Sequence, residues 1–592
     1  MKFLKFTLLA VLLFGFSYNL EAQIYAKNTY MYVAVNYIFA KGNVNLDTGG
    51  NIFLRNESQL LQSTTSLSTN TGTGKLSAFQ EETVNAYKYN YWCSPIGNAS
   101  AFTGNGNFGI TMLNRQVDKI ISTTAITSTQ AGYNGISNPL AIEPYWIWKY
   151  LSSDGYNLGN PNGWLHVQAA SPLSPGQGFT MKGTGGVDSN LILGVQNNID
   201  GKNQRYDFRG KPNDGNIEIF VAKDKNTLTE NPYPSAIELS AFFLYTTNGA
   251  SNTDRIAYFW KQNKAALDSH YVYQYEGGYG TFSPVSLATV GVYLPATFLA
   301  YNGFGTSIGA SGGSGVYYER RFCPIGQGIM LLGNNALEVV GAVQMNNSFR
   351  VFKKEGVANN SQFERSSNIQ QLFTNFLEET PSVSGFDYTT VSKLAVPQIR
   401  LKAVINDLTV QQLALAFDNN ATDEIDSGMD AGSVNTDNQQ EIYFLIEDKT
   451  FGIDIINFDI NKKIPLGLRN VADANFKISM HEMLNFYDAE HVYIHDKLND
   501  TYFEITQNKF EINMPAGTNN SRFEITFIPS SVLATDSITI KDFSVIQNNT
   551  TSLLTILNSK SIDLKEVNLY DITGKLILSK NKLGTDKSYQ LS

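Results

Sequence analysis

The sequence predicts an all-β protein that consists of tandem β-sandwich or jelly-roll-like units behind a short N-terminal segment, which is β-solenoid-like or a meander. Aromatic residues make up 12% of the 592 residues and charged residues only 16%, a composition that suits half-buried pleated surfaces. Short alternating segments recur between turn residues along the chain. One order of motifs also occurs twice, as two copies of one unit would give.

The composition restricts the function classes. A net charge of -9 and a pI near 5.3 argue against a nucleic-acid partner, because proteins that bind phosphate backbones present a basic face. With only Cys93 and Cys323 in the chain, neither a disulfide framework nor a thiolate metal cluster is expected. A bridge between these two cysteines stays open, since it depends on their Cα separation.

The N-terminus has the pattern of a secretory signal peptide, assigned to residues 1–22. Two lysines precede an apolar run from Phe6 to Phe16, and a polar region ends near Ala22. The run is too short to span a hydrocarbon core of about 30 Å. No later apolar run reaches about 18 residues, so no transmembrane helix is predicted. Residues 23–86 contain very short segments separated by turn residues, which predicts solenoid rungs or a meander.

Two β repeat units are predicted, over residues 87–200 and 201–352. The first contains YWCSPIGN, IEPYWIWKY and LSPGQGFTMKG, and the second contains NPYPSAIELS, RIAYFWK and CPIGQGIMLLG in the same order. Hairpins are expected where RYDFRGKPNDGNIEIFVA turns at Asp214–Gly215 and where GAVQMNNSFRVF turns at Asn346–Asn347.

Three further segments complete the chain. Residues 353–396 are polar and irregular, which predicts a linker or long surface loop. Residues 397–530 contain eight short strand patterns and predict a β-sandwich domain. Within it, IHDKLNDTYFEI predicts a hairpin that turns at Asn499–Asp500. Residues 531–592 end in VNLYDITGKLILSK, which reads as strand, tight turn and strand.

Four tryptophans are candidate ligand-stacking residues. Trp146 and Trp148 lie two positions apart in a predicted strand and would share one face, while Trp164 follows and Trp260 lies in the second repeat. An exposed row of rings could stack on the apolar faces of sugars. Core packing is the favoured alternative, because the aromatic strand recurs in both copies as a structural element would.

An acidic stretch, FDNNATDEIDSGMD, supplies four candidate metal ligands. They are Asp418, Asp423, Asp426 and Asp430. Calcium is the cofactor that hard oxygen ligands would favour. Their spacing does not match an EF-hand loop, and a solvated loop is the favoured interpretation.

The sequence contains no recognisable catalytic constellation, and a non-enzymatic protein is expected. The five histidines are scattered. His491 and His495 lie in a strand pattern that separates them by about 13 Å, too far for a shared metal. The alternative is a secreted polysaccharide-active enzyme with a carboxylate pair. Glu143 and Glu276 are the candidates, since each lies beside an aromatic strand or a glycine turn.

The run VNLYDITGKLILSK resembles the C-terminal sorting domain of type IX secretion cargo proteins, whose central hairpin reads V-x-[IL]-Y-D-x-x-G-[KR]. The matching positions are Val567, Leu569, Tyr570, Asp571, Gly574 and Lys575. The final strand pair of that pattern is not found before Ser592, so the resemblance is to a partial sorting domain.

The NPYPS, GKPNDG and GQG segments are similar to those of large cell-surface proteins of the same secretion class. The resemblance implies passage through the type IX machinery of a Gram-negative bacterium and a location at the cell surface or outer membrane, or release as a secreted protein. The expected function is adhesion or binding of extracellular material, with a glycan or matrix polymer as ligand. A carbohydrate-binding protein and the polysaccharide-active enzyme are the alternatives.

Overall fold

The computed structural model describes residues 23–82, 85–128, 132–151, 163–168, 171–199, 204–248, 252–337, 340–356, 361, 376–433, 440–529, 543–548, 553–558, 560–571 and 573–591. The predicted signal peptide lies outside the described residues. The chain divides into two compact units, Met1–Ile528 and Pro529–Ser592.

The protein is all-β, as the sequence predicts, and its N-terminal segment is a β-solenoid. The seven strands of this segment are β1 (Ile24–Ala26), β2 (Tyr30–Ala34), β3 (Tyr37–Ala40), β4 (Val44–Leu46), β5 (Asn51–Arg55), β6 (Gln59–Gln62) and β7 (Lys75–Glu82). Strand β1 pairs with β4, β2 with β5, β3 with β6 and β5 with β7, all in parallel. A meander would pair its strands antiparallel, so the solenoid alternative is confirmed.

The solenoid continues into the first repeat through one nine-stranded sheet. Its main path runs β11-β10-β21-β7-β5-β2, and a four-stranded sheet in the order β16-β15-β17-β8 lies in the same repeat. The elements of this repeat are β8 (Tyr89–Trp92), β9 (Ile96–Gly97), η1 (Ile110–Met112), β10 (Leu113–Gln116), β11 (Ser122–Thr124), β12 (Ile126–Thr127), β13 (Gly135–Ile136), β14 (Ala141–Ile142), η2 (Pro144–Trp146), β15 (Trp148–Tyr150), β16 (Trp164–His166), β17 (Phe179–Lys182), β18 (Thr184–Gly185), β19 (Asp188–Ile192), β20 (Val195–Asn198) and β21 (Gln204–Pro212).

The second repeat is built around a seven-stranded sheet whose path runs β23-β31-β25-β26-β28-β29. Its elements are β22 (Ile217–Ala222), β23 (Asn226–Glu230), β24 (Ala236–Glu238), α1 (Leu239–Leu244), η3 (Thr246–Asn248), β25 (Ala257–Gln262), η4 (Val272–Gln274), β26 (Glu276–Ser283), β27 (Val292–Leu294), β28 (Thr297–Tyr301), β29 (Ser307–Ser314), β30 (Phe322–Cys323), β31 (Gly328–Leu332), β32 (Val340–Met345), η5 (Asn347–Phe349) and β33 (Arg350–Val351).

The two hairpins predicted at the ends of the second repeat are wrong. Strand β21 pairs with β7 and β10, whereas β22 pairs with β32, and β33 pairs with β24. The predicted turns contact each other instead, because Nδ2 of Asn347 donates to Oδ1 of Asp214 at 2.7 Å. Nη1 of the buried Arg350 lies 3.3 Å from the same oxygen. The turn residues therefore join distant strands rather than neighbours in the chain.

The described part of the predicted linker does not behave as a surface loop. Residues 357–360 and 362–375 of this segment lie outside the described residues. Beyond them, η6 (Tyr388–Thr390) forms. Leu377, Tyr388 and Val391 are buried in a small core with Phe322 of the second repeat. These apolar and aromatic positions were too sparse in a polar segment to reveal that contact.

The predicted sandwich domain contains one eleven-stranded sheet around a single core. The strands are β34 (Gln398–Ile405), β35 (Thr409–Phe417), β36 (Ala431–Gly432), β37 (Gln440–Ile446), β38 (Lys449–Ile456), β39 (Lys463–Asn470), β40 (Ala474–Leu484), β41 (Tyr493–Asp496), β42 (Thr501–Glu504), β43 (Lys509–Met514) and β44 (Gly517–Thr526). The predicted hairpin between β41 and β42 is confirmed. Strand β39 was missed because Pro465 and Gly467 interrupt its pattern.

The sandwich packs directly onto the second repeat. Ala414 and Ile453 of the sandwich share one buried cluster with Tyr258 and Leu294 of the repeat. A guanidinium N–H of the buried Arg400 adds a hydrogen bond of 2.9 Å to a backbone carbonyl of the repeat. These contacts place repeats and sandwich in one compact unit.

The second unit consists of β45 (Phe543–Asn548), β46 (Leu553–Asn558), β47 (Leu564–Tyr570), β48 (Leu576–Gly584) and β49 (Ser588–Leu591). The predicted hairpin is confirmed, since β47 and β48 pair antiparallel and Gly574 takes φ +84° in the turn. Asp571 fixes the turn by accepting the backbone N–H of Thr573 and Lys575. Strand β49, which pairs antiparallel with β46, was not predicted from the sequence. Among the described residues of the whole chain, no helix has the length and apolar character that crossing a membrane requires.

Candidate functional site

The predicted aromatic strand of the first repeat is interrupted, and this changes which rings share a face. Pro144 opens the short helix η2, and the carboxylate of Glu143 caps it by accepting the N–H of Tyr145 at 3.0 Å. The strand therefore begins only at Trp148. Trp146 is buried, whereas Trp148 is half-buried. The prediction that these two rings lie side by side on one strand face is wrong, because proline and its preceding cap favour a helical turn.

A group of solvent-facing rings lies at this position, and we call it the aromatic patch: Tyr133, Tyr145, Trp148 and His166. Ring centroids are 4.9 Å apart for Tyr133 and Tyr145, 6.2 Å for Tyr145 and His166, and 4.8 Å for Trp148 and His166. Tyr133 is 53% exposed and Tyr145 46%. Strands β15 and β16 place Trp148 opposite His166. The patch is thus a nearly continuous aromatic surface that is open to solvent.

Two rings of the aromatic patch, those of Trp148 and His166, are held by hydrogen bonds to the backbone. Nε1 of Trp148 donates to the carbonyl of Tyr145 at 2.9 Å. A ring nitrogen of His166 lies 3.0 Å from the carbonyl of Pro144. Trp146 lies beneath the patch and donates its Nε1 proton to the carbonyl of Tyr133 at 2.7 Å. Side chains that are fixed in this way lose little conformational entropy when a ligand binds.

A buried lysine supports the aromatic patch from below and joins the two repeats. Nζ of Lys182, on β17, lies 3.7 Å from the ring centroid of Trp146. The same nitrogen donates to Oη of Tyr275 at 2.6 Å and lies 3.1 Å from Nδ1 of His270. His270 stacks on Trp146 with a centroid distance of 4.8 Å. Because Tyr275 and His270 belong to the second repeat, both repeats position the patch.

Burial sets the charge state of this cluster. Burial, followed by the charge of the nearby Lys88, lowers the pKa of Lys182 to about 6. The face of Trp146 opposes part of this effect, since an aromatic face attracts an ammonium group. Burial, followed by Lys182, lowers the pKa of His270 to about 4. Nε2 of His270 lies 2.8 Å from Oδ1 of Asn134. A neutral imidazole that donates from Nε2 and accepts at Nδ1 satisfies both contacts.

The remaining two predicted stacking residues, Trp164 and Trp260, are half-buried and pack against the cluster between the repeats. The ring of Tyr91 lies 6.0 Å from that of Trp164 and is stacked at 6.0 Å on Trp260. Its hydroxyl is 2.7 Å from the hydroxyl of Tyr279 in the second repeat. These rings are part of the cluster that extends to the sandwich. For Trp164 and Trp260, the structure favours packing.

The acidic stretch does not bring its four aspartates together. Asp418 accepts the N–H of Asn420, Asp423 pairs with Lys462, and Asp426 accepts the N–H of Thr422. Asp430 is buried and accepts the N–H groups of Asp426 and Ile455. Within the described ranges, no group of three or more His, Cys, Asp or Glu side chains could hold a metal ion. The calcium prediction therefore has no set of ligands there, because the carboxylates already bind protein donors.

The other residues singled out by sequence have separate structural contacts. Cys93 and Cys323 are buried free thiols, which answers the open question of a bridge. Oε2 of Glu276 accepts a hydrogen bond from Nδ2 of Asn263 at 2.7 Å. Glu143, the other candidate carboxylate, is the cap of helix η2. His491 and His495 contact different carboxylates, Glu504 for the first and Glu524 for the second.

Sequence reasoning missed one cleft. It has a volume of about 260 Å³ and is lined by the solenoid, the first repeat and the segment that follows β33. Phe79, Glu81, Arg205 and Glu355 contribute to its lining, and the buried guanidinium pairs with the carboxylate of Glu81. These residues come from distant parts of the chain, so no local motif could indicate it.

Comparison with known proteins gives one family match. A family model described as "Domain of unknown function (DUF8693)" matches residues 17–527. Neither the curated proteins nor the solved structures contain a match to this chain.

Proposed function

The chain belongs to the DUF8693 family, and from that premise we propose that it is an exported, non-enzymatic protein of the cell surface, or a secreted one, that binds extracellular material through its aromatic patch. The ligand class that the patch suits best is a glycan or another polymer with apolar faces. Adhesion to such material is the corresponding biological role.

The observation that carries the proposal is the exposure of preorganised rings. Large apolar side chains that face solvent as a group mark interaction sites more often than scattered ones do. Tyr145 is 46% exposed, and its backbone carbonyl accepts the hydrogen bond that fixes the half-buried ring of Trp148. Aromatic side chains supply contact area at low conformational cost and are common at binding surfaces. A sugar ring has one face of C–H groups that can lie on such a surface.

Two features of the chain ends support export. Residues 1–22 have the order of basic, apolar and polar regions that a secretory signal has. The β47–β48 hairpin presents Tyr570 and Leu569 to solvent around a fixed turn. We assign the type IX secretion machinery of a Gram-negative bacterium as the partner of this hairpin, and the outer membrane surface as the destination.

The proposal is tested by retention of the purified full chain on immobilised polysaccharides and matrix proteins. The chain should be retained on at least one polymer. The double variant Tyr145→Ala and Trp148→Ala should lose at least tenfold in affinity, since two stacking contacts are removed. Tyr487→Ala is the matched control, because that ring is 86% exposed and lies in the sandwich. No retention on any polymer, or equal retention of both variants, would refute the proposal.

The alternative is a polysaccharide-active enzyme, and the same wells test it. Sugar released into the supernatant is measured beside retention. Release that is lost on Glu276→Gln or Glu143→Gln would replace the binding proposal with the enzyme. Retention without release supports the binding protein.

A further inference from the structure

The first rung of the solenoid has an open side. Strands β1, β2 and β3 each pair with the following rung, and among the described residues none of them has a strand partner on its other edge. An unpaired strand edge presents free N–H and C=O groups that can pair with another chain. Solenoids normally protect such an end with a polar capping element. The first rung therefore has the backbone groups of an interface.

The side chains of the first rung are apolar and exposed. The large apolar residues that are 37 to 56% exposed here are Tyr25, Tyr30, Met31, Tyr32, Val35 and Phe39. The second rung is different, because β6 is buried throughout and β5 nearly so. Strand β2 has neither proline nor a charged residue, the devices that usually block pairing at an edge. The apolar rings and the open edges thus coincide.

The positions of the exposed rings before and after Tyr32 in the sequence indicate which partner covers the first rung. Tyr32 is the central residue of β2, and Tyr25 and Phe39 lie seven residues before and after it. A two-fold axis through Tyr32 would place Tyr25 of one copy opposite Phe39 of the other. It would also pair β2 antiparallel with itself and set β1 against β3. An interface of this kind uses the same surface twice and closes at two copies.

The charges of the rung are compatible with this arrangement. Lys27 lies five residues before Tyr32 and would face Tyr37 of the second copy, and it is already paired with Asp47 at 2.9 Å. Lys41 lies nine residues after Tyr32 and would face Gln23. Neither lysine side chain faces another charged side chain across the axis.

We propose that two copies of this chain associate through their first rungs, around a two-fold axis at Tyr32. A complementary surface has to offer three strand edges at the spacing of a solenoid rung, and each copy of the chain carries that surface. The proposal is independent of the ligand of the aromatic patch.

The association is measured by sedimentation equilibrium of the purified full chain over a range of concentrations. We expect a monomer–dimer equilibrium. Tyr32→Lys should weaken it at least tenfold, because two buried ammonium groups would meet on the axis. Tyr487→Lys, in the sandwich, is the matched control and should leave it unchanged. A monomer at every soluble concentration, an open-ended polymer, or equal dimerisation of Tyr32→Lys and the control would overturn the proposal.

The symmetry itself is tested by cysteine cross-linking under a mild added oxidant. Tyr32→Cys should cross-link copies of one variant, since like residues meet only on the axis. Tyr25→Cys and Phe39→Cys should cross-link when the two variants are mixed and not when each is alone. Cross-linking of Tyr25→Cys with itself would contradict the axis. The native thiols do not interfere, because both are buried.

Discussion

The Nζ atom of Lys182 lies 3.1 Å from Nδ1 of His270, and this contact joins the first repeat to the second directly beneath the aromatic patch. Among the described residues, no carboxylate forms an ion pair with this lysine. Tyr89, Trp146 and Tyr275 surround its amine with rings instead. The cluster links the charge state of one side chain to the packing of both repeats.

The buried lysine makes the repeats less stable as the pH falls. Its pKa of about 6 in the folded chain lies below its ordinary value of 10.5, so the unfolded chain binds the extra proton between these limits. The free energy of unfolding therefore increases with pH from about 6 to about 10.5, by at most about 1.4 kcal/mol per pH unit for one proton. His270, with its pKa of about 4, adds a change of the same sign between about 4 and 6.5.

Denaturant unfolding at several pH values, followed by tryptophan emission, checks this prediction. All five tryptophans lie in the two repeats, so the signal reports on these units. Lys182→Met keeps an apolar side chain among the rings. Its free energy of unfolding should therefore depend much less on pH above pH 6. Lys449→Met, at an exposed position of the sandwich, should behave like the unmodified chain. If the free energy of unfolding of Lys182→Met increased with pH as steeply as that of the unmodified chain, the assignment of this pH dependence to Lys182 would be contradicted.

The thiols of Cys93 and Cys323 should react with a maleimide only after unfolding. Both side chains are buried and unbridged, and burial raises the pKa of Cys323 well above its usual range. The thiolate, which is the reactive form, is thus scarce in the folded chain. Mass spectrometry should find two labels in denaturant without reductant and none in buffer. Absence of labels in denaturant would reveal a disulfide and contradict the structure.

Tyr388→Phe should lower the free energy of unfolding by about 1 to 3 kcal/mol, the cost of leaving a buried polar group without its hydrogen bond. The Tyr388 hydroxyl donates to one carboxylate oxygen of the buried Glu238, and Arg321 donates to the other. The aromatic packing on Phe322 is retained in the variant. Thermal unfolding provides the measurement, with Tyr487→Phe as the exposed control. A change no larger than that of the control would show that the carboxyl does not need this donor.

Gly50→Ala should disrupt the stacking of the first two solenoid rungs. A Cβ atom there would lie 2.1 Å from the backbone oxygen of Ala26, which has no side-chain freedom to move away. We expect a loss of about 1 to 3 kcal/mol, as for other overpacked sites, and faster hydrogen exchange in β1 and β4. Gly303→Ala is the control, since a Cβ at that position meets no atom within 4 Å. Unchanged exchange in Gly50→Ala would contradict the parallel pairing of β1 with β4.

The sequence predicted those features that depend on local pattern. Short segments between turn residues indicated a solenoid or a meander, between which the parallel pairing decides, and the β41–β42 hairpin followed from its turn. The interpretation of Trp146 failed because the strand was expected to begin directly after Pro144, where the proline and its cap start a helical turn. The turn at Asp214 looked like a hairpin tip, but its carboxylate binds Arg350 from a distant strand.

The cluster beneath the aromatic patch could not be predicted from local pattern. Lys182 and His270 are far apart in the chain, and only the packing of one repeat on the other brings them together. Tyr133 belongs to a segment without strand periodicity, and its position depends on the hydrogen bond from Trp146. Long-range contacts of this kind leave no mark in a single sequence.

The most direct test of the central claim is a tryptophan emission titration with a polymer that retains the chain. Trp148 is half-buried at the aromatic patch, whereas Trp92 is fully buried, so a ligand that covers the patch should change the emission mainly through Trp148. We expect a saturable change in the unmodified chain and in Tyr487→Ala, and a much smaller one in Trp148→Phe at the same saturation. Saturation without a change in emission, or an equal change in Trp148→Phe, would show that the ligand binds elsewhere.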